Sequence, residues 1–181
     1  GPTLQGSYIG GVYYPDKTKV GWWKNGYPEY FAKVLNAPNW IGIQIKIENE
    51  ILDLNYCPTV TDFRRELDMK NGVLKRSFTA IMKNKIEILV TSTRFLSMDD
   101  DEIGAIKYEI TPLNQNAKIS CIPFLDGGIK NKDSNWDEKF WKINSFSSEN
   151  QSAFLEAETY KTKFKICSYM NNVFFVDEKK Q

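Results

Sequence analysis

Between residues 41 and 110 apolar and polar side chains alternate in a two-residue period, and that period constrains the fold more than any other feature. Ile41, Ile43, Ile45 and Ile47 are interleaved with Gly42, Gln44 and Lys46. Successive side chains of a strand point to opposite faces, so this segment offers one apolar and one mostly polar face. Glu48-Asn49-Glu50 then turns the chain into Ile51-Leu52-Asp53-Leu54. The pattern returns in Leu74, Phe78 and Ala80 against Lys75, Ser77 and Thr79, and again in Ile86, Ile88 and Val90 after the polar turn Lys83-Asn84-Lys85. Residues 62–95 therefore read as strand, turn, strand, turn, strand, with Asn71-Gly72 supplying the positive φ angles of a short primed hairpin. Further strands are expected over 105–110, 118–124, 153–160 and 163–169, with 173–176 as a last one. Turn signals recur about every 8–12 residues through the middle, as sandwiches and barrels require.

Two segments depart from that period. Residues 29–35, ahead of Pro38, fit a short helix with Tyr30, Phe31, Val34 and Leu35 facing the core. The stretch 127–150 is rich in Asn, Ser, Lys and Asp. It is expected to run over the surface as a long excursion, pinned by Trp136, Phe140 and Trp141. The expected architecture is all-β, an antiparallel β-sandwich filling residues 1–181 as one domain.

Composition narrows the function classes. The chain has 181 residues, enough to bury a sizeable core, and its 41% hydrophobic and 26% charged content is that of an ordinary globular protein. With 24 basic and 23 acidic side chains the formal charge is +1, which gives no electrostatic reason to expect nucleic acid or an anionic membrane as partner. No apolar run approaches the ~20 residues of a membrane span, and no signal peptide is visible at the start, so a cytoplasmic location is expected. Histidine is absent. That removes a Ser-His-Asp triad, a Cys-His dyad and every zinc site built on imidazole. Cys57, Cys121 and Cys167 lack paired spacing and are expected to be reduced, small apolar side chains.

Several blocks carry a resemblance. Residues 62–78 contain Arg64-Arg65-Glu66-Leu67-Asp68-Met69, then Gly72-Val73-Leu74 and Arg76-Ser77-Phe78. Upstream stand Gly6-Ser7-Tyr8-Ile9-Gly10-Gly11-Val12-Tyr13-Tyr14 and Asn36-Ala37-Pro38-Asn39-Trp40; downstream stand Ala105-Ile106-Lys107-Tyr108-Glu109-Ile110-Thr111-Pro112 and Leu125-Asp126-Gly127. In order and spacing these blocks, up to about Asn135, resemble the N-terminal domain of the family-65 glycoside hydrolases and disaccharide phosphorylases. Residues 20–30 look most like the maltose-phosphorylase-type members. The resemblance implies a supersandwich of the galactose-mutarotase-like kind and a helical catalytic barrel elsewhere in the same chain as its partner. It implies inverting phosphorolysis of an α-glucosidic disaccharide, with neither metal nor organic cofactor. The family's general-acid glutamate and phosphate-holding loop lie in the barrel, and no residue here matches them, so no catalytic residue is assigned. Related chains carry an Asn-Gly-containing segment upstream of the point that Gly1-Pro2 occupies, so the chain is expected to be a piece of a longer enzyme.

Candidate chemistry remains to be weighed. The acidic run Asp99-Asp100-Asp101-Glu102 lacks the alternating ligands and turn glycine of an EF-hand, and consecutive carboxylates splay, so a solvated turn is expected. Asp126 before Gly127-Gly128 fits an Asx turn. Trp22, Trp23, Asn25, Tyr27 and Tyr30 form the candidate site. A pyranose stacks on an aromatic face and an amide reads its hydroxyls, while the competing and favoured reading is a core or a contact with the barrel domain. A disaccharide contact and a homodimer contact are open alternatives, as is a free-standing carbohydrate-binding module built on Trp22 and Trp23. Arg64, Arg65, Arg76 and Arg94 suit phosphate chemically. Their interleaving with Glu66, Asp68 and Glu87 favours cross-strand ion pairs instead. No Gly-rich phosphate loop followed by Lys-Ser or Lys-Thr occurs.

Overall fold

The computed structural model describes residues 6–17, 25–26, 28–131 and 138–181. Its elements are β1 (Tyr8–Lys17), β2 (Tyr30–Asn36), β3 (Asn39–Ile47), β4 (Glu50–Ile51), β5 (Thr59–Asp68), β6 (Val73–Ile81) and β7 (Glu87–Leu96). There follow β8 (Gly104–Pro112), β9 (Ile119–Asp126), β10 (Trp141–Glu149), β11 (Ser152–Thr159), β12 (Lys165–Asn171), β13 (Phe175–Val176) and β14 (Lys179–Lys180). The fold is all-β and antiparallel, in the sandwich class that the two-residue period dictates, and the described residues contain no α-helix. Two compact units make up the chain, residues 1–42 with 123–181, and residues 43–122. The chain passes from the first to the second within β3 and returns within β9.

In the first unit β1 pairs with β2, and β10, β11 and β12 form a three-stranded sheet. Val12, Tyr14, Leu35, Ala37, Phe140, Trp141, Leu155 and Ala157 are its buried core, with Tyr14 and Phe140 meeting edge to face at 4.8 Å. Residues 29–35 do not form the helix expected of them. Tyr, Phe and Val favour an extended chain, and β1 offers a ladder that satisfies the backbone without one. Its register places Phe31 opposite Asp16 and Lys33 opposite Tyr14, so Phe31, Lys33 and Leu35 share one face, of which Leu35 is fully buried while Phe31, near the strand's start, stays 43% exposed. Lys33 reaches Asp16 at 2.5 Å, with both side chains largely withdrawn from solvent. A helical period would have grouped Tyr30 and Val34 with them; in the strand these two point outward, 46% and 57% exposed.

The ends of β2 and β3 hang on a buried amide network. Asn36 N donates to Asn131 Oδ1 at 2.8 Å, and Asn131 Nδ2 donates to the Val34 carbonyl at 2.8 Å. Asn36 Oδ1 accepts from Ser7 N at 2.8 Å, its Nδ2 donates to the Lys130 carbonyl at 3.1 Å, and its own carbonyl accepts from Trp141 Nε1 at 2.9 Å. Ser7 Oγ in turn accepts from Trp40 Nε1 at 3.0 Å. Gly42 is required nearby, because any Cβ there would enter the ring of Phe124. Phe140 and Trp141 are buried as expected, while Trp136 lies outside the described residues. The long excursion is shorter than expected, since Trp141–Glu149 is strand β10. It is an outer strand with one buried residue and a register break between Ile143 and Ser145, which leaves hardly any apolar alternation to read.

The second unit is built on the sheet β5-β6-β7-β8. Phe78, Ala80, Ile88 and Val90 from this sheet pack with Ile45 and Ile47 of β3, with Met82 and Ile86 closing the same cluster. Strand β4 stops at Ile51, yet Leu52 and Leu54 still pack on that core, which explains their apolar character without a strand. Cys57 and Cys121 border it as free, half-buried thiols whose pKa burial raises, and Cys167 is free and exposed. The hairpin between β5 and β6 is not the two-residue primed turn. Asp68 faces Val73, leaving Met69 to Gly72 as a four-residue loop in which Gly72 alone has positive φ, at 66°. The Asp68 carboxylate accepts from Asn71 N at 3.1 Å and from Asn71 Nδ2 at 2.7 Å. These bonds hold Asp68 below the usual carboxylate range.

Two substitutions test this account. Asn131→Ala removes the acceptor of a buried N–H and the donor to a strand carbonyl, and is expected to cost about 2–4 kcal/mol in urea unfolding. A loss below about 0.5 kcal/mol would show that water replaces the amide freely. At Gly72 a Cβ meets open space, so only backbone conformation is at stake. Gly72→Val should cost about 1–2 kcal/mol and Gly72→Asn much less, since Asn tolerates the left-handed region.

Candidate functional site

Of the five aromatic and amide positions expected to form the site, Trp22, Trp23 and Tyr27 lie outside the described residues. Asn25 and Tyr30 are described, and both are exposed. Tyr30 stands opposite Lys17 on the outer face of the β1–β2 ribbon, with the Lys17 ammonium 5.7 Å from its ring centre. Tyr13 and Val34 are partners on the same face and also exposed. The ribbon thus presents an apolar outer surface of Tyr13, Tyr30 and Val34. Tyr13 is fixed from the side by Phe164, edge to face at 5.5 Å, and by its carbonyl, which accepts from Thr162 Oγ1 at 3.0 Å.

The acidic candidates fold as expected. Asp99 to Glu102 form an exposed turn in which Ser97 Oγ accepts from Asp99 N and Asp100 N, and Asp100 Oδ1 accepts from Glu102 N. Asp126 Oδ1 accepts from Gly128 N at 2.8 Å, an Asx turn. Among the described residues no group of three acidic or thiol side chains converges as metal ligands would.

The arginines depart from expectation. Among the described residues Arg64 alone of the four is ion-paired, to Glu66 at 2.7 Å along its own strand, and both side chains are exposed. Such a pair contributes little to stability. Arg65 stands directly across from Arg76, and Arg94 across from Leu74 on the same face. Ser92 and Tyr108 complete this row, since Arg76 faces Ser92 and Ser92 faces Tyr108. The carboxylates expected as partners sit on the other face, where Glu66 faces Lys75, Asp68 faces Val73 and Glu87 faces Ile81, and Glu109, facing Thr91, lies there too. Cross-strand ion pairs are therefore ruled out by parity for Arg65, Arg76 and Arg94.

One residue sets that parity. The ladder pairs Thr61 with Thr79 but Arg64 with Ser77, so β5 carries one residue more than β6 across this step. Asp62 occupies the bulge at φ 54°. Before the bulge Val60 shares the core face with Ala80; after it Arg65 and Leu67 do. Without the extra residue, Arg64 and Glu66 would face inward instead. The guanidiniums then lie on aromatic rings, Arg65 over Phe63 at 5.6 Å and Arg76 over Phe78 at 5.5 Å. Arg76 Nε is buried without a hydrogen-bond partner. Burial and the charges of Arg76 and Arg65 lower the pKa of Arg94. Burial also raises Tyr108, against the opposing pull of Arg76. The sequence shows the four arginines, but only the bulge reveals which three converge.

The family model for the glycosyl hydrolase family 65 N-terminal domain matches residues 1–181. Maltose phosphorylase of Bacillus subtilis (strain 168) is 44% identical over 91% of this chain and 21% of its own length. Kojibiose phosphorylase of Thermoanaerobacter brockii is 30% identical over 90% of this chain, and α,α-trehalose phosphorylase of the same organism is 25% identical over 98%. A solved structure described as "Putative kojibiose phosphorylase from human microbiome" superposes with a TM-score of 0.82 at 26% identity, covering 100% of this chain and 23% of that one. The chain spans about one fifth of the length of these relatives.

The bulge is open to test. Asp62→Val places a β-branched side chain at positive φ and should cost about 1–2 kcal/mol, whereas Asp62→Gly should be neutral or slightly stabilising. Urea unfolding of both variants decides it. Equal stability of the Val variant would mean that the bulge, and with it the inward placement of Arg65, is not held.

Proposed function

The chain belongs to glycosyl hydrolase family 65, as its N-terminal domain, and from that premise we propose that it serves an inverting disaccharide phosphorylase of the maltose phosphorylase type. The reaction of the whole enzyme would be phosphorolysis of an α-glucosidic disaccharide to β-glucose 1-phosphate and glucose. Phosphate is the nucleophile in such a reaction, so one protein carboxylic acid suffices, and that acid would lie in a helical barrel beyond this domain. The domain's own part is architectural: it covers one side of the barrel and shapes the entrance. The observation that carries the reading is the 44% identity to maltose phosphorylase over 91% of the chain, against 30% to a kojibiose phosphorylase. The exposed row Tyr13, Tyr30 and Val34 suits a surface that meets another domain.

A sugar platform on the same ribbon, extended by Trp22, Trp23, Asn25 and Tyr27, is the second reading, favoured by the exposure of Tyr30 and Asn25. Two experiments separate them. The isolated chain, incubated with maltose, kojibiose or trehalose with and without phosphate, is expected to give no turnover. Its tryptophan fluorescence should respond to maltose weakly, at about millimolar concentration or not at all. Exchanging this chain for the matching segment of the Bacillus subtilis maltose phosphorylase should retain phosphate-dependent release of glucose 1-phosphate from maltose. An inactive exchange enzyme would remove the proposed role, and saturable micromolar binding by the isolated chain would favour the sugar platform.

A further inference from the structure

Deepening the reading above and resting on it, we infer that the arginine end of the sheet β5–β8 is a further surface, besides the β1–β2 ribbon, on which the rest of a family-65 chain docks, through carboxylates set among apolar side chains. Arg65, Arg76 and Arg94 occupy adjoining positions on one face of this sheet. Every carboxylate that is paired in the ladder, Glu66, Asp68, Glu87 and Glu109, points the other way, and Asp62 sits in the bulge outside the register. Three like charges held together repel, and burying any of them costs more. Aromatic stacking beneath Arg65 and Arg76 orients the guanidiniums but offers no anion. The Arg76 guanidinium engages the Tyr108 hydroxyl, yet its Nε is buried without a hydrogen-bond partner, so one donor of the fork still lacks an acceptor. A planar guanidinium fork accepts a carboxylate bidentately, so the absent partner is defined by chemistry.

A free inorganic anion would satisfy the charges but not the setting. Leu67 and Leu96 stand on the same face, both 60% exposed, and the adjoining turns expose Met69, Met98 and Ile103 at 84%, 93% and 52%. Arginine and methionine among exposed apolar side chains is the composition of a protein interface, not of a small-ion site. The occupant is assigned to the same polypeptide because this chain spans about one fifth of its relatives' length. The geometry gives its complement: two or more Asp or Glu side chains bordered by leucine-like or aromatic groups.

The experiment compares the isolated chain with the maltose phosphorylase exchange enzyme, each carrying Arg76→Gln, Arg94→Gln or Arg65→Gln. In the isolated chain the substitutions should leave the thermal midpoint unchanged or raise it, since they relieve repulsion. In the exchange enzyme Arg76→Gln and Arg94→Gln should each lower phosphorolysis at least about tenfold or detach the domain in limited proteolysis. Arg94→Lys, which keeps the charge but loses the fork, should fall between. The partly exposed Arg65 serves where a more buried variant fails to fold, and Arg64→Gln, on the opposite face, should change nothing. An active exchange enzyme that tolerates all three substitutions overturns the docking surface while leaving the family role standing. An exchange enzyme inactive before any substitution overturns the family role and the docking surface with it. Titrating the isolated chain with inorganic phosphate gives the last arm: saturable shifts of the arginine Nε–H resonances below about 1 mM, abolished by Arg76→Gln, would make the cluster a small-anion site and overturn docking.

Discussion

The first unit depends on the amide of Asn131. Strand β2 ends at Asn36, and a strand end in a protein interior must satisfy backbone groups that no further ladder reaches. Asn131 does so with both halves of one side chain, accepting from the Asn36 N–H and donating to the Val34 carbonyl. Asn36 spreads the same function outward to Ser7 and Lys130, while its carbonyl anchors the indole of Trp141. Segments more than ninety positions apart are thus fixed by a few hydrogen bonds that apolar side chains alone could not supply. Burial of Leu35, Ala37 and Trp141 around them raises the cost of leaving any one unmade.

Parity is the corresponding constraint in the second unit. Four paired strands carry one set of side chains inward and the other outward, and a single extra residue at Asp62 exchanges the two sets for the remainder of β5. Apolar residues fill the inner face at one end, where Phe78, Ala80, Ile88 and Val90 are buried. At the other end the same face ends in guanidiniums. The sheet is therefore finished as a core over one half and left as a charged, apolar-edged surface over the other.

The strands that alternate strongly were legible from residues alone. The isoleucines of β3 and the sets in β6 and β7 each give a period that only a half-buried strand explains. Strand β10 was not legible, since a single buried residue at Trp141 leaves no period to detect. Residues 29–35 misled because Tyr30, Phe31, Val34 and Leu35 satisfy a helical period by accident of spacing. What decided against it was long-range, a ladder with β1 and a buried Lys33–Asp16 pair. At Gly72 the positive φ was foreseeable and the loop length was not, because Asp68 rather than the Asn-Gly pair organises the turn. Of the candidate site, the arginines could be named in advance. Their convergence could not, because it follows from a bulge whose only local mark is an ordinary aspartate.

Arginine remains charged at every pH a cell experiences, and this chain contains no histidine. A contact made by Arg65, Arg76 and Arg94 is consequently deaf to proton concentration across the neutral range. Its natural variable is ionic strength. The screening length falls from near 8 Å in physiological salt to about 3 Å at 1 M, so concentrated electrolyte would weaken such a contact's hold on a carboxylate and equally the self-repulsion of the cluster. Salt, and not acid, is the variable to which such a contact would answer.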